Sequence, residues 1–560
     1  MDSSVPTWLA EPTIALLLAL AFGLPAILLP GSSERFLGRI ENLFSRFAAR
    51  RFWSIVFMFL FVIGLRLALL DRLPVPNPGI HDEFSYLLMG DTFVHGRMAN
   101  PPHPLWRSFE TFHVLWFPAY ASKYPPAQGL VLALGQLLGN PWIGVLLSAA
   151  AMAAAFVWML QAWMPARWAF LAGGLAALRM CFASYWMNSY WGGAVAAIGG
   201  ALILGAIGRI RRRPSLAMGI LLALGVAILF NSRPYESVFF CVPLAAAGLF
   251  WFVRNRQEAE MRRAVLRLVV IPAGVILLFS VCLMARYNWR VTGHAALPPY
   301  VYDARLHDRG AMFLWQTPKP AIRYDNAELE NFYNQYERLA YDRSWASLKS
   351  VFADKWEHCS LAFFWPACWL LVPGVFFLYR DARFRLLLIA LLAVLLGYCL
   401  VVWPGPHYIA PAAAILFAAL AQSIRHLRTM RIFGRPIGAA FSRAILLALV
   451  VDVSLLVAQR LGDSQGWGGW GLSDRADLLH DLESRPGKHV VLVRYGPDHS
   501  VHEEWVFNGA EIDASRVIWA RDLPGELNDQ LLRYYPDRTI WLATPDNGEV
   551  SVFRPPLDSR

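Results

Sequence analysis

The sequence predicts a bundle of about twelve membrane-spanning helices, followed by a small α/β domain outside the membrane. The chain of 560 residues is 57% hydrophobic and only 16% charged, whereas a soluble protein of this length would carry more charge. Apolar runs of about twenty residues recur along it, and each is long enough to cross a hydrocarbon core as a helix. These runs are continuously apolar rather than alternating, which favours helices over a membrane barrel.

The predicted spans extend from the first apolar run to residue 458. They are 12–30, 52–70, 142–162, 166–182, 190–208, 215–231, 237–253, 266–285, 360–379, 386–403, 408–424 and 441–458. A further stretch, 126–139, is too short to span and is expected to lie in the interface or to belong to a bent helix. The first run lacks the basic residues that open a secretory signal, so we expect a retained helix.

Short loops rich in Lys and Arg indicate the orientation. They are 31–51, 209–214, 254–265, 380–385 and 425–436. A single alternation of twelve spans puts all of them on one side, which the positive-inside rule identifies as cytoplasmic. Residues 461–560 instead hold 17 Asp and Glu against 10 Lys and Arg. This asymmetry argues against nucleic-acid binding and for an integral protein of a bacterial inner (plasma) membrane.

The long polar segments all fall on the outer, periplasmic face. They are the first outer loop (71–125), the second outer loop (286–358) and the tail domain (459–560). The predicted domains are therefore 1–51, with an extra span and its basic loop, the transmembrane domain 52–458, and the tail domain. Short strand-like runs and the helical "GELNDQLLRYY" predict an α/β tail domain. In the second outer loop we expect an amphipathic helix on the membrane surface, capped by Asp325 or Asn326. The six cysteines lie in or beside apolar runs, so no disulfide framework is expected.

The stretch "HDEFSYLLMGD" places two adjacent acids directly after an apolar span. On a helix, Asp82 shares a face with Ser85 and Tyr86, whereas Glu83 points about 100° away. The two carboxylates therefore need not share one role. One is expected to face a cavity as a base, while the other orients a loop or accepts backbone N–H bonds. Asp91, further along, is expected to be a surface acid.

Other polar and aromatic residues recur at the same outer level. Lys123 either extends toward lipid headgroups or contacts a phosphate. Arg233 lies among the short outer loops, which are otherwise nearly free of Lys and Arg. The other candidate lining residues are His81, Tyr86, His113, Tyr185, Trp186, Asn188, Glu236, His407 and Tyr408. The aromatic members also fit an interfacial belt. Their convergence on one face indicates a site at the outer surface rather than a path through the bilayer.

The tail sequence "DHSVHEEW" contains His499, His502, Glu503 and Glu504. A metal site would need a further ligand at a suitable spacing, and none is evident. We therefore expect this stretch to form a solvated turn.

The acidic "HDEFSY" in the first outer loop and the "SKYPPAQGL" element at the return to the membrane give the chain a family resemblance. Together with the many spans and the outer tail domain, they make it resemble the GT-C glycosyltransferases, particularly the protein O-mannosyltransferases and the lipid A aminoarabinose transferases. The resemblance covers residues 52–424. It implies that Asp82 is the catalytic base, Glu83 its acidic neighbour and Lys123 a contact of the donor phosphate. An extra N-terminal span and a tail without a carbohydrate-binding signature depart from the family pattern.

Elementary chemistry leads to the same reaction. Glycosyl transfer to a hydroxyl needs a base for the acceptor proton and positive charge for the departing phosphate. Asp82 suits the first role, and Lys123 with Arg233, or a divalent metal such as Mg²⁺ or Mn²⁺, suits the second. The expected partners are the lipid bilayer, a polyprenyl-phosphate sugar donor and a hydroxyl acceptor on a protein, lipid or glycan.

Two other classes of function were weighed. A twelve-span transporter or lipid flippase predicts internal repeats and ionisable residues near mid-membrane, and the sequence shows neither clearly. A non-catalytic scaffold that presents the tail domain leaves the convergent acids and bases unexplained.

Overall fold

The computed structural model describes residues 30–182, 184–254, 258–364, 367–431, 437–459, 473–523 and 525–554. Over these residues the chain is mainly helical, with one small mixed sheet near its C-terminal end. The first predicted span, 12–30, lies almost entirely outside the described residues, as does the start of the predicted tail domain.

Helices follow the predicted spans from residue 51 onward. They are Arg51–Ala68, Pro141–Leu160, Ala166–Met180, Ala194–Ile210, Leu216–Phe230, Pro234–Arg254, Ala259–Val265 with its π-helical continuation Leu266–Val270, Ile271–Thr292, Leu371–Arg380, Arg385–Leu400, the 3₁₀ segment Pro406–Ala412, Ala413–Leu427 and Ile437–Gln459. Among the described residues, six helical segments are long and apolar enough to cross a membrane. The helical membrane bundle is therefore confirmed, while the count of about twelve spans stays a prediction.

The remaining elements lie mostly in the outer loops. They are the helices Pro30–Ala49, His81–Val94, Trp106–Phe109, Pro126–Leu137, Pro299–Leu306, Ala327–Glu330, Trp345–Cys359, Ser473–Ser484 and Glu526–Tyr534, the π-helical segments Asn331–Glu337 and Ser360–Phe364, and the 3₁₀ turns Cys368–Leu370 and Pro545–Asn547. Strands β1 (Val114–Leu115) and β2 (Ala121–Ser122) form an antiparallel pair in the first outer loop.

The short apolar stretch near residue 130 forms a helix of its own, Pro126–Leu137. The side chain of Asn140 then accepts a backbone N–H at 2.9 Å and caps the next helix, Pro141–Leu160. The two helices approach closely because Gly144 has no side chain: a Cβ there would lie 2.0 Å from the carbonyl oxygen of Val131. The segment is thus a separate helix packed against a span.

A second close approach fixes the segment that carries His407 and Tyr408. A Cβ on Gly200, in the helix Ala194–Ile210, would lie 2.0 Å from the carbonyl oxygen of Pro411. Small residues at such positions allow membrane helices to pack backbone against backbone. Gly200 therefore sets the position of the 3₁₀ segment relative to the bundle.

The tail domain contains the four strands predicted from the sequence. They are β3 (His489–Val493), β4 (Val517–Arg521), β5 (Thr539–Thr544) and β6 (Glu549–Arg554), in the spatial order β4-β3-β5-β6. Strand β3 is parallel to both of its neighbours and β6 is antiparallel to β5. All residues of β3 are buried, as expected for a central parallel strand covered on both faces.

The tail domain packs directly on the helix His81–Val94. The ring of Phe84 stacks on that of Phe507 with centroids 4.5 Å apart, and Asp91 accepts the backbone N–H of Ala510 at 2.6 Å. Asp91 also accepts a hydrogen bond from the amide of Gln136 at 2.8 Å. The expectation that Asp91 is a surface acid is therefore wrong, because both of its carboxylate oxygens bind neighbouring segments.

The second outer loop also differs from expectation. Asn326 caps the short helix Ala327–Glu330, which continues as the π-helical segment Asn331–Glu337. The predicted cap is confirmed, but the helix does not present its apolar face to the membrane surface. Phe332 is buried, and its ring centroid lies 4.7 Å from that of Phe112 in the first outer loop. The aromatic side chains are buried between the two loops instead.

We predict that Gly200→Ala lowers the thermal unfolding midpoint of the detergent-solubilised protein, because the new methyl group must displace backbone at a cost of about 1–3 kcal/mol. Gly274→Ala is the matched control: nothing lies within 4 Å of its Cβ position, and Ala is the better helix former. Equal midpoints for the two variants would contradict the packing described.

Candidate functional site

The candidate site begins at the N-terminus of the helix His81–Val94. Ile80 is extended, with φ −135° and ψ 150°, so the chain enters the helix directly at His81. Asp82 and Glu83 then occupy the first turn, where negative charge is favourable. The side chain of Asp82 is 19% exposed, whereas Glu83 is buried. The two acids thus point to different surroundings, as predicted.

Glu83 supports a neighbouring loop. Its carboxylate accepts the backbone N–H of Tyr190 at 3.1 Å. Burial raises the pKa of this carboxyl to about 8, although hydrogen bonds from the backbone N–H groups of Tyr190 and Gly79 act in the opposite direction. Glu83 is the member of the pair that accepts backbone N–H bonds, and a catalytic role for it stays a prediction.

Asp82 is surrounded by three polar side chains. The hydroxyl of Tyr124 donates to Oδ1, Nδ1 of His81 lies 3.3 Å from Oδ2, and Nε2 of His113 lies 4.0 Å from Oδ1. Burial acts to raise the pKa of Asp82, but His113, His81 and Tyr124 outweigh it and hold the pKa well below its usual range. Asp82 is therefore an ionised carboxylate, able to accept a proton. Tyr124 was missed from the sequence, where it is one aromatic among many.

His81, Asp82 and His113 form a cluster of potential metal ligands. Their ligand atoms lie within 4.8 Å of one another. Among the described residues, Nε2 of His81 and Nδ1 of His113 have no hydrogen-bond partner, although both are buried. His113 also has a φ of 61°, which is uncommon outside glycine. Buried, unpartnered imidazole nitrogens beside a carboxylate can hold a divalent ion.

Lys123 reaches the same region but is already paired. Its Nζ lies 3.1 Å from Oδ2 of Asp303, and both side chains are largely buried. Burial would lower the pKa of Lys123, but Asp303, Asp308 and Glu337 raise it above the ordinary value. Burial, reinforced by Asp308, raises the pKa of Glu337 to about 8. These three acids belong to the second outer loop and were not predicted, although the "DARLHD" stretch was a visible signal.

Arg233 is the cation without a matched acid. Within the described part of the chain, its guanidinium makes no ion pair and no side-chain hydrogen bond. Its carbon Cζ lies 5.5 Å from the ring centroid of Tyr408. Burial acts to lower the pKa of Arg233, but Tyr86, Glu236 and Tyr408 raise it, so the group remains charged. Glu236 itself is buried in the first turn of the helix that follows Arg233.

Tyr86 connects the predicted residues. Its ring stacks on that of Tyr124 with centroids 4.3 Å apart. Burial raises its pKa to about 12, and its hydroxyl also experiences the charges of Arg233, Asp82 and Lys123. The structure therefore brings Asp82, Lys123 and Arg233 together around one tyrosine.

Aromatic rings form the wall beside Arg233. The ring of His407 lies 5.0 Å from that of Trp191, 4.6 Å from that of Tyr408 and 6.3 Å from that of Tyr185. Tyr185, His407 and Tyr408 are among the lining residues predicted from the sequence. This wall belongs to the membrane bundle, whereas the surroundings of Asp82 belong mostly to the outer loops.

Two predicted lining residues have a different position. Trp186 is fully buried and packs against Gly193, where a Cβ would lie 2.7 Å from its ring. Asn188 accepts a hydrogen bond from Arg66 at 3.2 Å and donates to the carbonyl of Phe182 at 2.5 Å. Both side chains support the 184–193 loop, and their predicted role as lining residues stays a prediction.

The tail stretch around residue 500 is only partly a solvated turn. Glu503 is exposed and His499 pairs with Asp546 at 2.6 Å. In contrast, the ring centroid of His502 lies 5.8 Å from that of His81, and Glu504 is buried in an ion pair with Arg521. The expectation of a solvated turn is therefore wrong for His502 and Glu504, because the tail domain folds over the site.

No family model matches the chain, and no curated protein matches its sequence. Among solved structures, the chain is similar to the Archaeoglobus fulgidus oligosaccharyltransferase tethered with an acceptor peptide, with 12% identity and a TM-score of 0.45 over 78% of this chain and 62% of that chain. It is also similar to the oligosaccharyltransferase AglB of the same organism in complex with an inhibitory peptide and a dolichol-phosphate, with 13% identity and a TM-score of 0.47 over 88% and 69% of the two chains.

A third similar structure is ArnT from Cupriavidus metallidurans bound to undecaprenyl phosphate, with 13% identity and a TM-score of 0.44 over 87% of this chain and 93% of that chain. ArnT is a lipid A aminoarabinose transferase, one of the two groups that the sequence resembles. This chain spans less than two thirds of the length of the tethered oligosaccharyltransferase. Similarity at these identities and TM-scores carries no conclusion about activity.

We predict that Glu83→Ala lowers the free energy of unfolding by about 1–3 kcal/mol, because it leaves the buried N–H of Tyr190 without an acceptor. Glu83→Gln is the matched control, since its amide oxygen can still accept that hydrogen bond. The measurement is thermal unfolding of both variants in the same detergent. A loss of stability in the Gln variant as large as in the Ala variant would show that the hydrogen bond is not what Glu83 contributes.

Proposed function

We propose that this protein is a membrane glycosyltransferase that moves a sugar from a polyprenyl-phosphate-linked donor to a hydroxyl acceptor at the outer, periplasmic face of a bacterial inner membrane. The observation that carries the proposal is the arrangement around Tyr86. The ionised carboxylate of Asp82 and the guanidinium of Arg233 both lie close enough to Tyr86 for their charges to act on its hydroxyl. A base and a separate cation are what glycosyl transfer requires.

Asp82 acts as the general base. The acceptor hydroxyl oxygen attacks the anomeric carbon of the sugar, the bond from that carbon to the phosphate oxygen breaks, and the hydroxyl proton passes to Asp82. The hydroxyl of Tyr124 binds Oδ1, which orients the carboxylate that receives the proton. The 19% exposure of the side chain gives the acceptor access to it.

Arg233 binds the donor phosphate, whose negative charge increases as the sugar leaves. A planar guanidinium can make two parallel hydrogen bonds to phosphate oxygens. Lys123 was predicted for the same role, but its charge is matched by Asp303 at 3.1 Å. We therefore assign the direct phosphate contact to Arg233 and a supporting electrostatic role to Lys123.

A lipid-linked donor is supported by a cavity next to Arg233. This cavity, of about 280 Å³, is lined mainly by apolar atoms of residues that include Phe230, Pro234 and Met284. Near the cavity, side chains on the surface of the helix Ile271–Thr292, such as Leu278, are apolar and exposed. A phosphate held at Arg233 would thus leave its isoprenoid chain beside an apolar surface that continues toward the bilayer.

The cluster of His81, Asp82 and His113 fits a divalent metal. Two imidazoles and one carboxylate suit Mn²⁺ or Zn²⁺ better than Mg²⁺, which prefers oxygen ligands. When bound, such an ion supplies positive charge that stabilises a departing phosphate. The histidines would hold it, and their buried positions would keep it next to the proton-accepting carboxylate.

We predict that Asp82→Asn reduces sugar transfer by at least about 100-fold, because the amide cannot accept the acceptor proton. The measurement is transfer of labelled sugar from undecaprenyl-phosphate and dolichyl-phosphate donors to lipid, peptide and glycan acceptors by purified protein. Asp381→Asn, at a solvated loop remote from the site, is the control. Full transfer by the Asp82 variant would remove Asp82 as the base.

We also predict that Mn²⁺ or Zn²⁺ raises the thermal unfolding midpoint of the wild type and has a much smaller effect on His113→Asn. Asparagine is chosen because it tolerates the left-handed backbone at φ 61°. His480→Ala, which alters an exposed histidine of the tail domain, is the control for adventitious binding. An equal shift in wild type and His113→Asn would mean that the ion binds elsewhere.

A further inference from the structure

One turn of the tail domain reaches the middle of the candidate site. The ring of His502 lies nearly parallel to that of His81, with centroids 5.8 Å apart and an interplanar angle of 26°. On its other side it meets Tyr336 edge-on at 4.7 Å. An imidazole of the tail domain therefore lies beside the surroundings of Asp82.

A buried ion pair holds this turn in place. Glu504, two residues after His502, pairs with Arg521, and both side chains are almost completely buried. The other oxygen of Glu504 accepts hydrogen bonds from the hydroxyl of Tyr495 at 2.5 Å and from the backbone N–H of Val506 at 2.8 Å. The position of Glu504 is thus fixed by several partners within the tail domain.

Arg521 extends the same network to both outer loops. Its Nε donates to the carbonyl of Glu110 in the first outer loop at 2.6 Å. One of its terminal nitrogens binds Glu328 in the second outer loop at 3.1 Å. A buried charge of this kind has a high desolvation cost, so its contribution lies in fixing geometry more than in stability. One guanidinium therefore joins the His502 turn to the two loops that surround Asp82.

We propose that the tail domain contributes residues to the site. His502 contacts the substrate bound at Asp82, and Arg521 is a positioning residue that acts through the His502 turn. The imidazole would hydrogen-bond a hydroxyl of the sugar or of the acceptor. This role of His502 rests on the proposed function. The coupling of the tail domain to the outer loops through Arg521 does not.

The tail domain has other attachments that allow Arg521 to be tested without detaching it. Asp91 accepts the N–H of Ala510 at 2.6 Å, and the hydroxyl of Tyr120 donates to the carbonyl of Asn508 at 3.0 Å. Removing the charge of Arg521 should therefore loosen the His502 turn and leave the domain folded and attached.

The experiment compares His502→Ala, Arg521→Met and the double variant with the wild type, and uses His480→Ala as the control. The first readout is sugar transfer from the polyprenyl-phosphate donor that the wild type uses best. The second is hydrogen–deuterium exchange of the backbone at residues 81–94, 108–115 and 499–507, which needs no substrate. Folding is checked by exchange in strands β3 and β5.

We expect each single variant to lower kcat at least tenfold and the double variant to be no worse than the more impaired single variant, because both act through one residue. Exchange at 108–115 and 499–507 should increase in Arg521→Met but not in His502→Ala. His480→Ala should match the wild type in both readouts. A general effect on stability would instead change strands β3 and β5 and give additive losses.

Transfer within twofold of the wild type in His502→Ala would overturn the role of His502. Unchanged exchange in Arg521→Met would overturn the positioning role of Arg521. If the wild type transfers none of the sugars, the proposed function and the substrate contact of His502 both fail. The exchange measurement still decides whether Arg521 couples the tail domain to the outer loops.

Discussion

The carboxylate of Asp82 stays ionised in a place where burial opposes its charge, and the surrounding structure is arranged to compensate. The hydroxyl of Tyr124 and the imidazoles of His81 and His113 provide that compensation. Tyr124 is in turn held by stacking on Tyr86. Each of these residues comes from the first outer loop. The charge of Asp82 is stabilised by only these three side chains, so each of them must be held in position. The segments packed around the first outer loop hold them there.

The site combines residues of the membrane bundle with residues of the loops and the tail domain outside it. Arg233 and the aromatic wall around His407 belong to the membrane bundle, where close helix approaches such as that at Gly200 set their positions. Asp303 and Glu337 come from the second outer loop, and His502 comes from the tail domain. At Tyr86, the charges of Asp82 and Lys123 from the first outer loop meet that of Arg233 from the bundle. A lipid-linked donor needs such a boundary, because its phosphate is charged while its chain remains in hydrocarbon.

The sequence was informative wherever the signal was local. Hydrophobic run length predicted the helices, short strand-like runs predicted the strands of the tail domain, and the 100° angle between neighbours separated Asp82 from Glu83. It was uninformative for contacts between distant segments. Nothing in the sequence pairs Arg521 with Glu504 and Glu328, turns His502 toward His81, or gives Asp91 the backbone of Ala510 as its partner.

The central claim is that Arg233, rather than Lys123, receives the phosphate of a lipid-linked donor beside Asp82. The most direct measurement is an electron cryo-microscopy structure of the protein with undecaprenyl phosphate in lipid nanodiscs. We predict phosphate density within hydrogen-bond distance of the Arg233 guanidinium, with the Lys123–Asp303 ion pair intact and the chain in the adjoining apolar cavity. Phosphate density at Lys123 with Asp303 displaced, or lipid density remote from both cations, would contradict this account.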